Sequence, residues 1–336
     1  MRSIRRLGLL ALSLISLAAC GQRSSIAYGD ANSIVLIIAD SVWDEAGSTI
    51  QQILEPRIQT VRNERTFDLT PIAPDDPDLT KLRLWRQVLV VGEATDPWVA
   101  AALPDDVELS TSEPTLVDKD DVWARGQRVT AIVLPPGGGT GELVEILPEL
   151  HQILDQRFRN YALNRMFVSG RNDSLTAELR EKAGFALTVP NVYRVSNPEE
   201  DVYLFLNDQM VGGELIRMIQ VTWRPGAREL PTVDEVLEWR IEAGEGHYSP
   251  EQMNEETPLE SVALEGVGAG GIEVRGVWSA EIDGYPMAGP FISRVISCPA
   301  QDRTYLLDSW LYAPAKDKYE YILQLETILN SFDCGT

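Results

Sequence analysis

Residues 33–40 read SIVLIIAD, and this stretch decides the fold of the first half of the chain. Five consecutive apolar residues, most of them β-branched, are typical of a strand that is buried on both faces, as in a parallel sheet. Ser41 and Asp44 then match a capping box, and apolar residues at helical spacing continue until Pro56. The stretch therefore predicts a βα unit.

The first half repeats this pattern. Further strands are predicted at residues 66–72, 87–92 and 129–134, and the longest helix is predicted from residue 142 to about 167. Residues 104–121 carry no strand pattern and are predicted to be irregular. Because strands alternate with helices, residues 33–167 are predicted to form an α/β domain with a mostly parallel sheet.

Two carboxylates follow the first predicted strand. Asp40 ends the opening stretch, and Asp44 lies one helical turn later. Open α/β sheets bind ligands at the carboxyl ends of their strands, so both residues are candidate ligand contacts. Helix capping and surface charge explain the same residues without a ligand, and we favour that interpretation.

A glycine-rich loop, PPGGGTG at residues 135–141, lies between a predicted strand and a predicted helix. Helix N-termini in this context bind phosphate, but neither the P-loop pattern nor the dinucleotide fingerprint is present. We therefore favour a flexible loop without a ligand, and the sequence predicts no cofactor.

The second half changes character after the polar break VSGRNDS at residues 168–174, which predicts a linker between domains. Its candidate strands alternate polar and apolar residues, which predicts an antiparallel sheet with one solvated face. These strands are at residues 185–190, 202–206, 215–223, 262–264, 272–278, 291–297 and 304–312.

Three helices are predicted in this half. One covers residues 175–182, one begins at a second capping box formed by Thr232 and Glu235, and one covers about residues 316–332. Residues 175–336 are therefore predicted to be an α+β domain, with an antiparallel sheet covered by helices on one side.

Several aromatic side chains of this half could line a binding groove, namely Trp278, Tyr285, Phe291, Trp310 and Tyr312. Packing in the core and across strands explains them equally simply, and we favour it. Trp278 and Phe291 are retained as candidate ligand contacts.

The composition limits the partners. The formal net charge of −22 predicts repulsion of nucleic acid and of anionic lipid headgroups. The chain has only two histidines, and no His/Cys cluster has metal-ligand spacing, so no metal site is predicted.

The chain begins with a basic segment and an apolar run at residues 7–17 that is too short to span a bilayer. Together with the small residues before Cys20, these features predict a secretory signal peptide at residues 1–19. Residues 17–20, LAAC, resemble a bacterial lipobox, in which the cysteine is acylated and anchors the protein in the lipid bilayer.

Residues 20–32 are then predicted to be the lipidated cysteine and a small, polar tether. By resemblance to the proteobacterial sorting rule, Gly21 in place of aspartate implies the outer membrane, facing the periplasm. Cys298 and Cys334 form an even pair in an exported chain and suggest one disulfide, with two free thiols as the alternative.

The second half contains the four motifs GVW, MAGPF, LYAP and QLETIL, at residues 276–278, 287–291, 311–314 and 324–329. These motifs resemble those of the domain-of-unknown-function family forty-eight thirty-seven, which is a family of envelope lipoproteins. The first half agrees at Asp40, Trp43 and residues 123–124, whereas residues 240–253 depart from the family pattern. The activity of the family is unassigned, so the resemblance implies no catalytic residue.

The end of the chain resembles a second group of proteins, the PsbP-like domains. The resemblance lies in a strand ending at Pro190, a late strand ending at residues 312–314 and a final helix ending at residues 328–332. It implies an α-β-α sandwich of a kind that is mostly non-catalytic and often attached to membrane complexes.

These observations predict a lipid-anchored protein of the cell envelope that acts as a non-catalytic binding or assembly factor, with an envelope protein as its partner. Two alternatives stay open. One is a ligand-binding lipoprotein with a cleft between the two halves. The other is a hydrolase that works through carboxylates such as Asp40 and Asp44.

Overall fold

The computed structural model describes residues 25–208, 214–227, 229–248, 250–255, 259–266 and 268–335. The predicted signal peptide and Cys20 lie outside the described residues. Among the described helices, none combines the length and the apolar character needed to cross a membrane. The described chain divides into two compact units: residues 25–56 with Phe67–Gln152, and Arg57–Thr66 with residues 153–335.

The elements of the first part of the chain, including the short β2–β3 hairpin that belongs to the second unit, are β1 Ser33–Ile37, α1 Asp40–Leu54, β2 Arg57–Ile58, β3 Glu64–Arg65, β4 Asp68–Ile72, α2 Leu79–Leu82, β5 Gln87–Glu93, α3 Pro97–Ala100, β6 Thr115–Asp120, β7 Arg128–Leu134 and α4 Thr140–Met166.

The first unit contains a five-stranded sheet in the order β4-β1-β5-β7-β6. The β1–β4, β1–β5 and β5–β7 pairs are parallel, and β6 pairs antiparallel to β7. All five residues at 34–38 are buried, as expected for a strand that is covered on both faces. The predicted α/β unit with a mostly parallel sheet is confirmed.

Three local predictions in this unit are wrong. The described part of the predicted tether is bound to the unit, because the N–H of Ala27 donates to the carbonyl of Arg125 and the carbonyl of Tyr28 accepts from the N–H of Arg86. Helix α1 begins at Asp40 rather than after Ser41, because the carbonyl of Ala39 already accepts hydrogen bonds from the N–H groups of Val42 and Trp43. No side chain caps this helix. Strand β6 lies within the segment predicted to be irregular; only Val117 of its six residues is buried, so this polar edge strand has little apolar pattern.

The remaining elements are α5 Asp173–Lys182, β8 Phe185–Ala186, β9 Arg194–Glu199, β10 Val202–Asn207, β11 Ile216–Pro225, α6 Val233–Gly244, β12 Met253–Asn254, β13 Glu260–Leu264, β14 Gly271–Ile282, β15 Tyr285–Cys298, β16 Arg303–Tyr312, α7 Tyr319–Asn330 and β17 Asp333–Cys334. Helix α6 carries the predicted capping box of Thr232 and Glu235.

The second unit is built on an antiparallel sheet in the order β12-β14-β15-β16-β11-β10-β9, with β13 also paired to β14. The prediction of an antiparallel sheet with helices is confirmed, but the predicted solvated face is wrong. Strand β16 shows the reason, since its eight inner residues are all buried. Leu307 belongs to the core that contains α7, and Leu306 to the core that contains Val236 of α6.

The boundary between the units differs from the predicted linker at residues 168–174. It falls inside α4, between residues 152 and 153. The C-terminal part of α4 packs with the second unit, because Phe158 stacks on Tyr319 and Met166 enters the core of that unit. The hairpin β2–β3 packs there too, since Glu64 accepts a hydrogen bond from the backbone N–H of Lys318 at 2.7 Å.

A disulfide joins the end of β15 to β17 in the second unit. It links Cys298 to Cys334, the pair that the sequence suggested, with Cα atoms 6.0 Å apart. Strand β17 pairs antiparallel to β8, so the bridge fixes the segment after α7 beside the main sheet.

Candidate functional site

A cavity of about 200 Å³ lies within the second unit. Three arginines line it, Arg57, Arg159 and Arg275, and we call it the arginine cavity. Two glutamates, Glu260 and Glu326, also line it, and Ile58, Phe291, Ile292, Ile322 and Leu323 supply an apolar wall. Charged groups with directional hydrogen bonds beside an apolar wall are the usual composition of a ligand site.

Three separate elements supply the arginines. Arg57 opens β2, Arg159 lies in the C-terminal half of α4, and Arg275 lies in β14. The apolar stripe of α4 positions Arg159, because the neighbouring Phe158 stacks on Tyr319 of α7 with ring centroids 5.4 Å apart. The cavity is therefore assembled by tertiary packing rather than by one local motif.

Two of the arginines share a carboxylate. Glu326 accepts a hydrogen bond from Nη1 of Arg159 at 3.1 Å and another from Nη2 of Arg275. Nε of Arg159 donates to Asp155 at 2.6 Å, and Nε of Arg275 donates to Glu273 at 2.6 Å. Alternating charges therefore fix both guanidinium groups in place, as charge-assisted hydrogen bonds do.

The surroundings keep both arginines cationic. Burial lowers the pKa of Arg159, but the hydrogen bond to Asp155 and the nearby negative charges, including Glu326, raise it above its ordinary value. The pKa of Arg275 is likewise raised: burial lowers it, and the charges of Glu326 and Glu273 outweigh that effect. These side chains are therefore permanent cations and do not exchange protons near neutral pH.

Tyr319 completes this side of the cavity. Its hydroxyl donates a hydrogen bond to Oδ1 of Asp155. Burial, followed by the hydrogen bond to Asp155, raises the pKa of Tyr319 above the ordinary value for tyrosine. The phenol is therefore protonated at neutral pH and holds Asp155 against Arg159.

A second polar cluster lies on the other face of the sheet, beside a cavity of about 330 Å³. Arg240 and Asp308 are both fully buried, with Nε of Arg240 3.1 Å from Oδ1 of Asp308. Arg240 also donates to the side-chain oxygens of Asn254 and Gln252. The hydroxyl of Tyr248 donates to Oδ2 of Asp308 at 2.7 Å.

We call this cluster the Arg240 network. Its polar groups bind one another and connect helix α6 and the segment after it to the sheet. Its chemistry is therefore that of a structural cluster. Three members of the network, Arg240, Tyr248 and Gln252, lie in the segment 240–253, where the sequence departs from the resembled family pattern.

The four residues predicted as ligand contacts do not form one site: two lie in the first unit, and Trp278 and Phe291 lie in one core cluster of the second unit. Asp40 and Asp44 are exposed on α1 in the first unit. Trp278 is fully buried in the core, with its ring 5.3 Å from that of Trp310 in a T-shaped contact. Phe291 is 1% exposed and is the one of the four that lines the arginine cavity.

The glycine-rich loop presents its amides to carboxylates. The N–H of Gly137 donates to Glu93 at 3.0 Å, and the N–H of Gly139 donates to Glu142 at 3.0 Å. These two acidic side chains occupy donors that a phosphate would use, which agrees with the interpretation of a loop without a ligand.

Sequence reasoning missed the arginine cavity. Its arginines are spread over more than 200 positions of the sequence and belong to no recognised motif. One signal was available: Glu326 is a charged residue inside the apolar stripe of the last helix. In the described parts of the chain, no group of three or more His, Cys, Asp or Glu residues is placed to hold a metal ion.

Two family models match the chain. The domain of unknown function DUF4837 matches residues 172–331, and the domain of unknown function DUF8532 matches residues 27–169. The predicted resemblance is confirmed for the second half. It does not extend to the first half, so Asp40, Trp43 and residues 123–124 lie in a segment that matches a different family model.

No curated protein matches the chain. Solved structures with a detectable likeness include a variant of protein Mog1, 11% identical with a TM-score of 0.30 over 45% of this chain and 91% of that chain. The Saccharomyces cerevisiae Ran-binding protein Mog1p is 10% identical with a TM-score of 0.30 over 45% and 90%. A protein from Bacteroides thetaiotaomicron is 8% identical with a TM-score of 0.28 over 46% of each chain. Likenesses at these TM-scores carry no conclusion about this chain.

Proposed function

We propose that this protein is a lipid-anchored component of the cell envelope that acts as a non-catalytic binding or assembly factor, and that the arginine cavity is its binding site. The observation that carries the proposal is the convergence of Arg57, Arg159 and Arg275 on one cavity with an apolar wall. Fixed arginines recognise an anionic group by charge and by the planar geometry of their donors.

The protonation states around the cavity suit binding rather than proton transfer. General acid–base catalysis works best with a group that titrates near the operating pH. Here the pKa values of Arg159, Arg275 and Tyr319 are all raised further from neutrality. These three groups therefore serve as permanent donors.

The PsbP-like fold of the second unit is part of the same proposal. Its support is the resemblance at the end of the sequence, together with helices α5 and α7 on one face of the sheet and α6 on the other. Such domains are mostly non-catalytic, which agrees with a binding role.

Lipid anchoring through Cys20 rests on the lipobox resemblance. A single acyl chain binds membranes only marginally, whereas two or more chains anchor stably. We expect Cys20→Ala to move the protein from the membrane to the soluble envelope fraction, or to block its processing. A correctly cut Cys20→Ala protein that still fractionates with the outer membrane would remove the anchor from the proposal.

The hydrolase alternative is tested with the purified protein. We expect a broad screen of hydrolase and transferase substrates to show no turnover, and Asp40→Asn and Asp44→Asn to behave like the wild type. Turnover that disappears in those variants would replace the binding role with a carboxylate mechanism. The other alternative, a ligand cleft between the two halves, stays a prediction, because the cavities described here each lie within one unit.

A further inference from the structure

We infer that the arginine cavity binds a monocarboxylate, a ligand with a single carboxylate attached to an apolar group. The inference rests on the proposed function, because it names the ligand class of the same site. The source of the carboxylate is either a small organic acid or the C-terminal end of a peptide, and both offer the same chemistry.

The first argument is the supply of free donors. A guanidinium group has five N–H donors. Arg159 donates two of these hydrogen bonds, to Asp155 and Glu326. Arg275 also donates two, to Glu273 and Glu326. Three N–H donors therefore remain on each arginine without an acceptor among the described residues. The two side chains are 43% and 30% exposed, so a ligand can reach these donors.

The third arginine adds further donors at the same cavity. Arg57 donates one N–H to the backbone oxygen of Asn63 at 3.2 Å. Its other donors have no acceptor among the described residues, and it lies on β2, apart from the Arg159–Glu326–Arg275 contacts. Arg57 is therefore the arginine with the most capacity to close over a bound anion.

The second argument is charge. Three arginines and two glutamates line the cavity, so its lining carries 3 − 2 = +1 in a protein of net charge −22. Asp155 and Glu273 also bind Arg159 and Arg275 from outside the lining, so the cavity favours a ligand with no more than one negative charge. A dianion such as a phosphate monoester would leave an excess negative charge beside Glu326 and Glu260, which opposes its binding.

The third argument is shape and polarity. The cavity measures about 200 Å³, and its wall includes Ile58, Ile322 and Leu323. An apolar group of the size of a phenyl ring fits this space and gains from contact with the wall. A carboxylate is planar and accepts two parallel hydrogen bonds from one guanidinium, which matches the Nε–Nη2 edge of Arg57, since the hydrogen bond of Arg57 to Asn63 uses Nη1.

The experiment is calorimetric titration of the complete mature protein, held in lipid nanodiscs, with matched probes. Benzoate carries the carboxylate, benzamide is its neutral isostere, and phenyl phosphate supplies a dianion. A short peptide ending in phenylalanine, with a free or an amidated C-terminus, tests the peptide source. Empty nanodiscs give the blank.

Arg57→Gln combined with Arg159→Gln removes free donors from the cavity. In this double variant Glu326 keeps Arg275, and Asp155 keeps Tyr319. Arg194→Gln is the matched control, because Arg194 lies on β9 and pairs with Asp208 away from the cavity.

We expect benzoate to bind at least roughly tenfold more tightly than benzamide and no less tightly than phenyl phosphate, since charge-assisted hydrogen bonds carry the difference. The double variant is expected to lose this preference, and Arg194→Gln to keep it. A preference for the peptide acid over both the peptide amide and benzoate assigns the peptide source; the reverse order assigns a small acid.

Equal binding of benzoate and benzamide, tighter binding of phenyl phosphate, binding that the double variant retains, or no binding of either acid would overturn the inference. The proposed function is judged separately, by whether an envelope partner co-purifies with the protein. A partner that is retained while both acids fail to bind refutes the ligand class and leaves the binding role in place.

Discussion

Asp308 is the residue on which a fully buried arginine depends. It accepts hydrogen bonds from Arg240, Tyr248 and Ser293. Removing one partner of a buried ion pair leaves an uncompensated charge and costs about 3–5 kcal/mol. We therefore expect Asp308→Ala to lower the free energy of unfolding by about that amount, measured by chemical denaturation.

The matched control for Asp308→Ala removes both charges. Arg240→Met combined with Asp308→Leu leaves no buried charge without a partner and is expected to recover part of the lost stability. A loss below about 1 kcal/mol in Asp308→Ala, the range of a single ordinary hydrogen bond, would show that the Arg240 network does not stabilise this face of the sheet.

Two buried tyrosines are expected to lower the stability of the folded protein at alkaline pH. Burial raises the pKa of Tyr193 to about 12, and burial followed by the charge of Asp308 raises the pKa of Tyr248 well above its ordinary value. Above about pH 10 the unfolded chain loses these protons while the folded chain keeps them. The folded state then binds more protons, so stability falls as the pH rises.

Phenylalanine substitutions separate the two tyrosines. The hydroxyl of Tyr193 has no hydrogen-bond partner among the described residues, whereas that of Tyr248 donates to Asp308. Denaturation at about pH 8 and above pH 10 should show a shallower pH dependence in both variants. At about pH 8 only Tyr248→Phe should be less stable than the wild type, by about 1–3 kcal/mol, because removal of the hydroxyl leaves the buried acceptor on Asp308 without this donor. An unchanged pH dependence in Tyr193→Phe would contradict its raised pKa.

At the scale of elements, the two capping boxes predicted from sequence have different outcomes. Thr232 accepts from the N–H of Glu235 at 3.3 Å, and the side chain of Glu235 accepts from the N–H of Thr232 at 2.8 Å. Ser41 lies inside the first turn of α1, whose N-cap is Ala39. A capping pattern thus predicts a helix start only when the chain enters the helix at that residue.

Matched alanine substitutions test this difference. We expect Thr232→Ala to lower the free energy of unfolding by about 1 kcal/mol, the usual value of an N-cap hydrogen bond. Ser41→Ala should stay within about 0.5 kcal/mol of the wild type, as surface substitutions usually do. Equal losses in the two variants, measured by chemical denaturation, would contradict the assigned start of α1.

The disulfide between Cys298 and Cys334 also stabilises the fold at the scale of elements. It closes a loop of 334 − 298 = 36 residue steps. The chain-entropy account gives roughly 3–4 kcal/mol for such a loop, and we expect Cys298→Ala combined with Cys334→Ala to lose about that much stability. Thiol titration of denatured, unreduced Cys20→Ala protein should find no reactive thiol; two would rule out the bridge.

The elements that the sequence predicted correctly are those in which apolar residues recur with the regular spacing of a strand or a helix. Strands β1, β5 and β7 are solid apolar runs because both of their faces are buried. Strand β6 was missed because its single buried side chain, Val117, leaves no pattern. The burial of both faces of β16 was missed because Asp308 interrupts the apolar run and suggests a polar face.

The arginine cavity could not be predicted for a different reason. Arg57, Arg159 and Arg275 have no local relation in the sequence, and only the packing of β2, α4 and β14 brings them together. Each arginine alone is typical of a solvated surface. The predicted contacts Asp40 and Asp44 did follow a local rule, but they are exposed in the first unit.

At the scale of the whole molecule, charge distinguishes the cavity from the rest of the protein. The chain carries 51 acidic and 29 basic residues, whereas the cavity lining carries three arginines against two glutamates. Long-range repulsion is expected to keep nucleic acid and anionic lipid headgroups away. An anionic group on a partner is therefore expected to be recognised at short range, at the arginine cavity.

Affinity purification from solubilised native membranes tests this recognition most directly. Three forms are compared by quantitative mass spectrometry: the wild type, the Arg57→Gln and Arg159→Gln double variant, and the Arg194→Gln control. We expect the same envelope protein to co-purify with the wild type and the control, and to be depleted at least roughly tenfold with the double variant, since each lost charge-assisted contact weakens binding by about that factor. A partner that the double variant retains at the wild-type level would contradict the assignment of the arginine cavity as the binding site.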